Sequence, residues 1–328
     1  MLTRSRVLGL GLWAAALWAL FLVLRQAPLP ALWAVWRRLT GLQMAALVAA
    51  NGLILILLAG RWWSILRGQG YRLGYRRPFG YRLAAFAVSY LTPGPQFGGE
   101  PLQVYWLRRH EALPLTTATT AVALDRLLEL VVNFSFLLLG SLVVVALGFA
   151  QATSAAFLLT MALLLLGLLL AYLCGLAWGW QPLARGLAIS TRRLGRGQSL
   201  AALAAEVESQ AGLFCRQRPG HLLLALGVSL LAWAAMVAEY WLAAHFLGIS
   251  LGPAQTIAAL TAARLAYLLP MPGGLGTFEA GQMLALTALG FDPAAAVALA
   301  LLIRGRDMLI AVLGIWLGRR YLHETMAR

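Results

Sequence analysis

Long uninterrupted apolar runs constrain this chain more than any other feature. Residues 7–24, 39–60, 116–148, 154–178, 220–247 and 293–318 are apolar almost throughout. A helix needs about 20 apolar residues to cross a hydrocarbon core. Within that core only a helix or a closed barrel satisfies its own backbone. A barrel needs alternating polar and apolar positions, and these runs do not alternate. Of the 328 residues, 61% are hydrophobic and 11% charged, which leaves no room for a separate soluble domain. The expectation is an all-α polytopic membrane protein, one integral membrane domain over residues 1–328.

The placement of charge predicts the orientation. All 26 basic residues are arginine. Arg61, Arg67, Arg72, Arg76, Arg77 and Arg82 crowd one connecting segment, and Arg185, Arg192, Arg193, Arg196, Arg216 and Arg218 crowd another. The positive-inside rule puts both in the cytoplasm, with Arg4, Arg6, Arg319 and Arg320 at cytoplasmic termini. The clusters read as topology signals that also meet anionic headgroups, and no nucleic-acid partner is expected in so apolar a chain. The N-terminal run is longer than a usual signal core and is kept as a spanning helix. His110, His221, His245 and His323 lack ligand spacing, so no metal and no cofactor are expected.

Two short stretches interrupt the apolar pattern in the same way. "TPGPQFGGE" carries Pro93 and Gly94, then Gly98, Gly99 and Glu100; "MPGGLGTFE" carries Pro272, Gly273, Gly274, Gly276 and Glu279. The apolar arms before them, 83–92 and 254–269, are too short to span. Orientation closes only if each motif segment enters and leaves by the same face, the first from inside and the second from outside. That gives about six full spans plus two oppositely oriented re-entrant hairpins, an inverted repeat with halves of roughly 1–150 and 151–328. Arg126 follows Glu100, and Arg304 follows Glu279, at nearly equal distance within the next span.

Broken backbone at membrane depth requires protein or a water-filled cavity around it. Proline ends the first half-helix and glycine lets the chain reverse. A glutamate in the first turn of the second half-helix is an ordinary capping device in water. In a bilayer a charged acid costs about 2.5–3.5 kcal/mol, whereas a cap returns roughly 1 kcal/mol. Glu100 and Glu279 are therefore expected at a water-accessible polar centre. Arg126 and Arg304 are read either as phosphate-holding groups or as buried partners of these carboxylates. The expected lining is Glu100, Arg126, Glu279 and Arg304, with Gln96 and Gln103 as neutral polar neighbours.

"LLPMPGGLGTFEA" (268–280), "GPQFGGEPLQVYWLRR" (94–109) and "LLIRGRDM" with Arg304 together resemble the lysylphosphatidylglycerol synthase transmembrane-region family, a flippase-like membrane domain. The resemblance covers nearly the whole chain and is most specific at 272–279. It implies movement of lipids between leaflets, with aminoacylated phosphatidylglycerol the best-known cargo. The sequence stops at Arg328, so no aminoacyl-transferase domain and no lysine transfer are expected. Gln103 stands where many members carry a basic residue, which bears on headgroup preference. Membrane lipids are the expected partners, with a separately encoded lipid-synthesising enzyme beside them, in a prokaryotic cytoplasmic membrane.

The leading expectation is thus a lipid translocase, not an enzyme. ATP hydrolysis is excluded because the Gly-rich stretch at 272–276 lacks the Walker lysine. Two alternatives stay open: a small-solute or ion secondary transporter, and an intramembrane lipid-modifying transferase using the two glutamates as acid and base. The topology has a direct test. Cysteines placed at positions 94 and 273 should react with a small water-soluble thiol reagent from opposite faces, inside and outside respectively. Labelling of both from one face would end the inverted-repeat argument.

Overall fold

The computed structural model describes residues 39–92, 98–149, 152–194, 198–269, 271 and 274–326, together with 33 and 37. The expected span 7–24, and Pro93, Gly94, Gln96, Pro272 and Gly273, lie outside the described residues. Every element among them is a helix: α1 (Gly41–Gly68), α2 (Arg76–Leu91), α3 (Glu100–Glu111), α4 (Leu115–Ala146), α5 (Ala152–Ala177), α6 (Pro182–Leu194), α7 (Gln198–Gln217), α8 (Pro219–Phe246), α9 (Pro253–Tyr267), α10 (Thr277–Ala288) and α11 (Pro293–Met326). By length and hydropathy four helices can cross a membrane: α1, α4, residues 156–177 of α5, and α8. The 34 residues of α11 are long enough, but Arg304, Arg306 and Asp307 interrupt its apolar face.

Local chemistry sets the helix ends. The Thr40 hydroxyl accepts from the Gln43 N–H at 3.3 Å while the Gln43 side chain accepts from the Thr40 N–H at 2.9 Å, a reciprocal cap for α1. Pro182, Pro219, Pro253 and Pro293 open α6, α8, α9 and α11, where a missing N–H costs nothing. The Arg-rich segment read as a loop between α5 and α8 is in fact two helices. Its order comes from Glu208 of α7, buried, which accepts from the N–H groups of Leu183 (3.0 Å) and Ala184 (2.9 Å) and from the Tyr172 hydroxyl (2.9 Å). A carboxylate on one helix thus caps the start of another.

A second correction concerns α1. The apolar run ends near residue 60, yet the helix continues to Gly68, so Arg61 is not a loop residue. Arg61 is completely buried, and Arg82 lies within α2. Both serve ion pairs inside the bundle rather than orientation signals alone.

The two halves share detail at one constant step. The Trp63 indole donates to the Leu73 carbonyl at 2.8 Å, and Trp241, 178 positions on, donates to the Leu251 carbonyl at 3.1 Å. Gly70 and Gly248 both adopt positive φ, at 94° and 81°. Helices α1, α2, α3 and α4 correspond in order to α8, α9, α10 and α11. Packing follows the same correspondence: α1 runs along its own counterpart α8, α2 packs on α11 as α9 packs on α4, and α3 packs on α4 as α10 packs on α11.

Among the described residues two large apolar clusters form, one around Trp233, Tyr240 and Phe278, the other around Trp62, Trp106 and Leu124, and a small one of Ala87, Tyr90 and Ala311 joins α2 to α11. There α2 and α11 approach closely because Gly314 has no side chain. A Cβ there would strike the Leu83 carbonyl and come within 2.9 Å of the Ala87 Cβ. Gly314→Leu should therefore force α2 and α11 apart. The expected loss is about 1–3 kcal/mol, the usual cost of overpacking, read as a lower thermal midpoint in detergent; an unchanged midpoint would show that this contact does not hold the bundle.

Candidate functional site

The starts of α3 and α10 carry the same carboxylate device. Glu100 accepts from the Gly98 N–H at 2.8 Å with one oxygen and from the Arg126 Nε at 2.6 Å with the other. Glu279 accepts from the Gly276 N–H at 2.8 Å and from the Arg304 Nε at 2.7 Å. Gly98 and Gly276 have φ of 138° and 77°, which favours glycine at both turns. The first arm also helps to satisfy the turn. The Gly99 N–H donates to the Ser89 hydroxyl at 2.9 Å, and the Thr277 hydroxyl donates to the Ala266 carbonyl at 3.3 Å. Each glutamate thus caps its turn and pairs with an arginine at the same time.

The surroundings of the two pairs differ. Glu100 and Arg126 keep 20% and 24% of their side chains accessible, whereas Glu279 and Arg304 keep 0% and 4%. Glu100, Arg126 and Gln103 line a cavity of about 480 Å³ between the helices. Glu279 and Arg304 stand behind that wall and do not line it. Arg304 has a different task there. It donates to the Gly274 carbonyl at 2.5 Å and to the Tyr90 hydroxyl at 3.3 Å, with Phe278 beneath its guanidinium. Because Tyr90 closes α2 and Gly274 precedes α10, this arginine ties the ends of both helix breaks together.

Further charged groups on the wall come from elements that sequence reasoning did not assign to a site. Arg82 reaches Asp125 at 2.6 Å and Glu129 at 3.2 Å, and buried Arg61 reaches the same two acids at 2.7 and 2.8 Å. Arg306 pairs with Glu239 and Asp307, both at 2.8 Å. Asn51 donates to Glu239 at 3.2 Å, and the Tyr267 hydroxyl donates to Asp307 at 3.2 Å. Arg264 completes the set on α9. Of the chain's 11 acids, six (Glu100, Asp125, Glu129, Glu239, Glu279 and Asp307) belong to this centre, so the concentration is architectural. Asp125 and Glu129 beside Arg126, and Asp307 three residues past Arg304, are legible along the chain as acids close to each arginine. Nothing local marked Glu239, Arg264 or Arg306 as neighbours of one cavity.

The rest of the cavity wall is mostly apolar, with Ile54, Leu58, Phe86, Leu130 and Leu260 among its lining beside Ser89 and Asn133. A lining that is partly charged and partly apolar can hold a polar group while accepting hydrocarbon beside it. Among the described residues no group of three or more His, Cys, Asp or Glu side chains could hold a metal ion.

A family model described as "Lysylphosphatidylglycerol synthase TM region" matches residues 6–314. Over 86 residues the chain is 28% identical to a UPF0104 membrane protein of Methanocaldococcus jannaschii, a stretch that is 26% of this chain and 26% of that protein. Over 98 residues it is 31% identical to a UPF0104 membrane protein of Methanothermobacter thermautotrophicus, covering 30% of this chain and 28% of that one. The matched stretches thus span little more than a quarter of either relative. No solved structure matches.

The unequal burial predicts unequal effects of removing each acid. Glu279→Gln leaves buried Arg304 without its counter-charge and should cost about 3–5 kcal/mol of stability, with Arg304→Gln added to it restoring a substantial part. Glu100→Gln, on an accessible wall, should leave the folded protein in good yield. Equal thermal midpoints for the two single variants would refute this division.

Proposed function

Because the chain belongs to the lysylphosphatidylglycerol synthase TM region family, we propose that it moves a phospholipid or related lipid between leaflets through this cavity. The observation that carries the reading is the cavity's double character, a lining that combines paired arginines and carboxylates with many apolar side chains. A lipid headgroup exchanges hydrogen bonds with the charged lining while its acyl chains stay in hydrocarbon. Guanidinium groups suit phosphate because they pair with it bidentately. Glu100, Arg126 and Gln103 form one side of the headgroup path. Glu279 and Arg304 act as the support that keeps the two breaks in register.

In this reading the breaks at 92–99 and 268–276 are the tips of two re-entrant hairpins that enter from opposite faces. The 16 residues of α2 and the 15 of α9 rise about 22–24 Å, less than a 30 Å core. The repeated step of 178 residues, with α1 packed on its counterpart α8, supports halves related by a two-fold axis in the membrane plane. Transporters of that plan bind cargo near the midplane, between broken helices. The protein resides in the cell membrane with cytoplasmic termini, takes its lipid from the bilayer, and acts beside a separately encoded enzyme that makes that lipid. It is a transporter rather than an enzyme: the carboxylates on the wall are held by arginines and are poorly placed to trade protons with a reacting group.

Reconstitution tests the proposal. Vesicles holding the purified protein and a trace of headgroup-labelled fluorescent phospholipid are treated with a membrane-impermeant quencher. The protected inner-leaflet signal should fall far faster than in protein-free vesicles. Protection equal to that of protein-free vesicles, with the protein shown to be folded, would end the lipid reading and leave small-solute transport to be measured.

A further inference from the structure

Arg264 differs from the other arginines of the centre. Arg61, Arg82, Arg126, Arg304 and Arg306 each hold at least one carboxylate within 3.2 Å. Among the described residues Arg264 meets none. Its Nη2 lies 3.1 Å from the Met236 sulfur, and its guanidinium sits 4.6 Å above the Trp233 ring. A thioether is a weak acceptor, and a guanidinium carries five N–H donors in a fixed fork. Arg264 lines the cavity and is only partly buried, so this fork is presented to the space where a ligand would sit.

Charge bookkeeping leads to the same residue. Arg61, Arg82 and Arg126 share the three acids Glu100, Asp125 and Glu129, and Arg304 balances Glu279. Arg306 instead faces two acids, Glu239 and Asp307. The centre as a whole is neutral, but its last positive charge is set apart from its last negative one. Asp307 is within electrostatic reach of Arg264 yet is occupied by Arg306 and the Tyr267 hydroxyl. An unpaired cation in so apolar a bundle is costly unless an anion joins it.

We infer that Arg264 is the phosphate seat of the cavity: its guanidinium binds a phosphate monoanion bidentately, with Trp233 as the platform beneath. The inference deepens the lipid-translocation reading and rests on it for the source of the phosphate. Trp233 holds the guanidinium plane by a cation–π contact and leaves the N–H edges for the ligand. The excess negative charge at Glu239 and Asp307, in the same cavity, favours a headgroup that carries a cation besides its phosphate.

Titration calorimetry on the full chain in detergent tests the seat. The probes are a short-chain phosphatidylglycerol, the uncharged diacylglycerol of equal chain length, and inorganic phosphate. Arg264→Gln should weaken phosphatidylglycerol binding by about tenfold or more, the worth of a charged hydrogen-bonded contact, and leave diacylglycerol binding unchanged. Arg264→Lys keeps the charge and loses the fork, so it should fall between the two. If the glutamine variant does not fold, the lysine variant decides, and wild-type affinity in it overturns the bidentate seat. Wild-type affinity in the glutamine variant, or no binding of any phosphate probe by the wild type, overturns the inference outright. Inorganic phosphate binding as well as the phospholipid, with the same dependence on Arg264, would keep the seat but identify free phosphate as its occupant, against the lipid reading. Lipid movement in vesicles that survives Arg264→Gln undiminished would separate the other way, keeping translocation and removing the seat.

Discussion

Opposite charges that cancel one another inside an apolar helical bundle are the interaction on which the rest of this structure depends. An apolar bundle cannot hold an isolated arginine or carboxylate without a cost of several kcal/mol, and pairs persist only where further hydrogen bonds complete them. The pairs here join helices that the apolar surfaces alone would not align. Arg61 and Arg82 bring α1 and α2 onto the Asp125 and Glu129 turn of α4, and Arg306 brings α11 onto Glu239 of α8. Hydrophobic contact is non-directional and roughly proportional to area, so it tolerates sliding of one apolar helix on another. An Nε–carboxylate bond of 2.7 Å does not.

The helix breaks obey the same demand at the level of the backbone. A chain interrupted in hydrocarbon exposes N–H and carbonyl groups that must find partners. Glu100 and Glu279 each give one oxygen to a turn N–H and the other to an arginine. A single carboxylate thereby ends the orphan status of a donor and neutralises a cation. The same device occurs at both sites, but burial makes the two unequal. The second copy is sealed and cross-braced by Tyr90, and the first opens on the cavity. An exchangeable contact needs water or ligand access, so only the open copy is placed for exchange.

Much of the architecture was legible in the sequence. The apolar runs at 39–60, 116–148, 154–178, 220–247 and 293–318 correspond to α1, α4, α5, α8 and α11, because twenty apolar residues have few other ways to fold. The helices α2 and α3, and α9 and α10, are separate elements, as the proline- and glycine-rich motifs between them lead one to expect. The family, too, was legible from 268–280. Less legible were α6 and α7: the start of α6 is capped by Glu208 of α7, a contact with no local signal. Arg61 was misplaced for a related reason: its cluster of arginines matched a topology pattern, and its partners lie more than sixty residues away.

By itself, then, the sequence determined the apolar environment, the helical class and the two motifs that carry Glu100 and Glu279, and left open whether Arg126 and Arg304 hold phosphate or pair with those carboxylates. What it determined depends on composition and short-range spacing, which act along the chain. Only the tertiary structure decided which pair faces the cavity, that Glu239 and Arg306 belong to the same centre, and that Arg264 is the arginine left without a carboxylate. Those facts depend on how α8, α9 and α11 are turned about their axes. A helix rotation moves a side chain from wall to interior without changing a single residue, so no one-dimensional pattern can carry it.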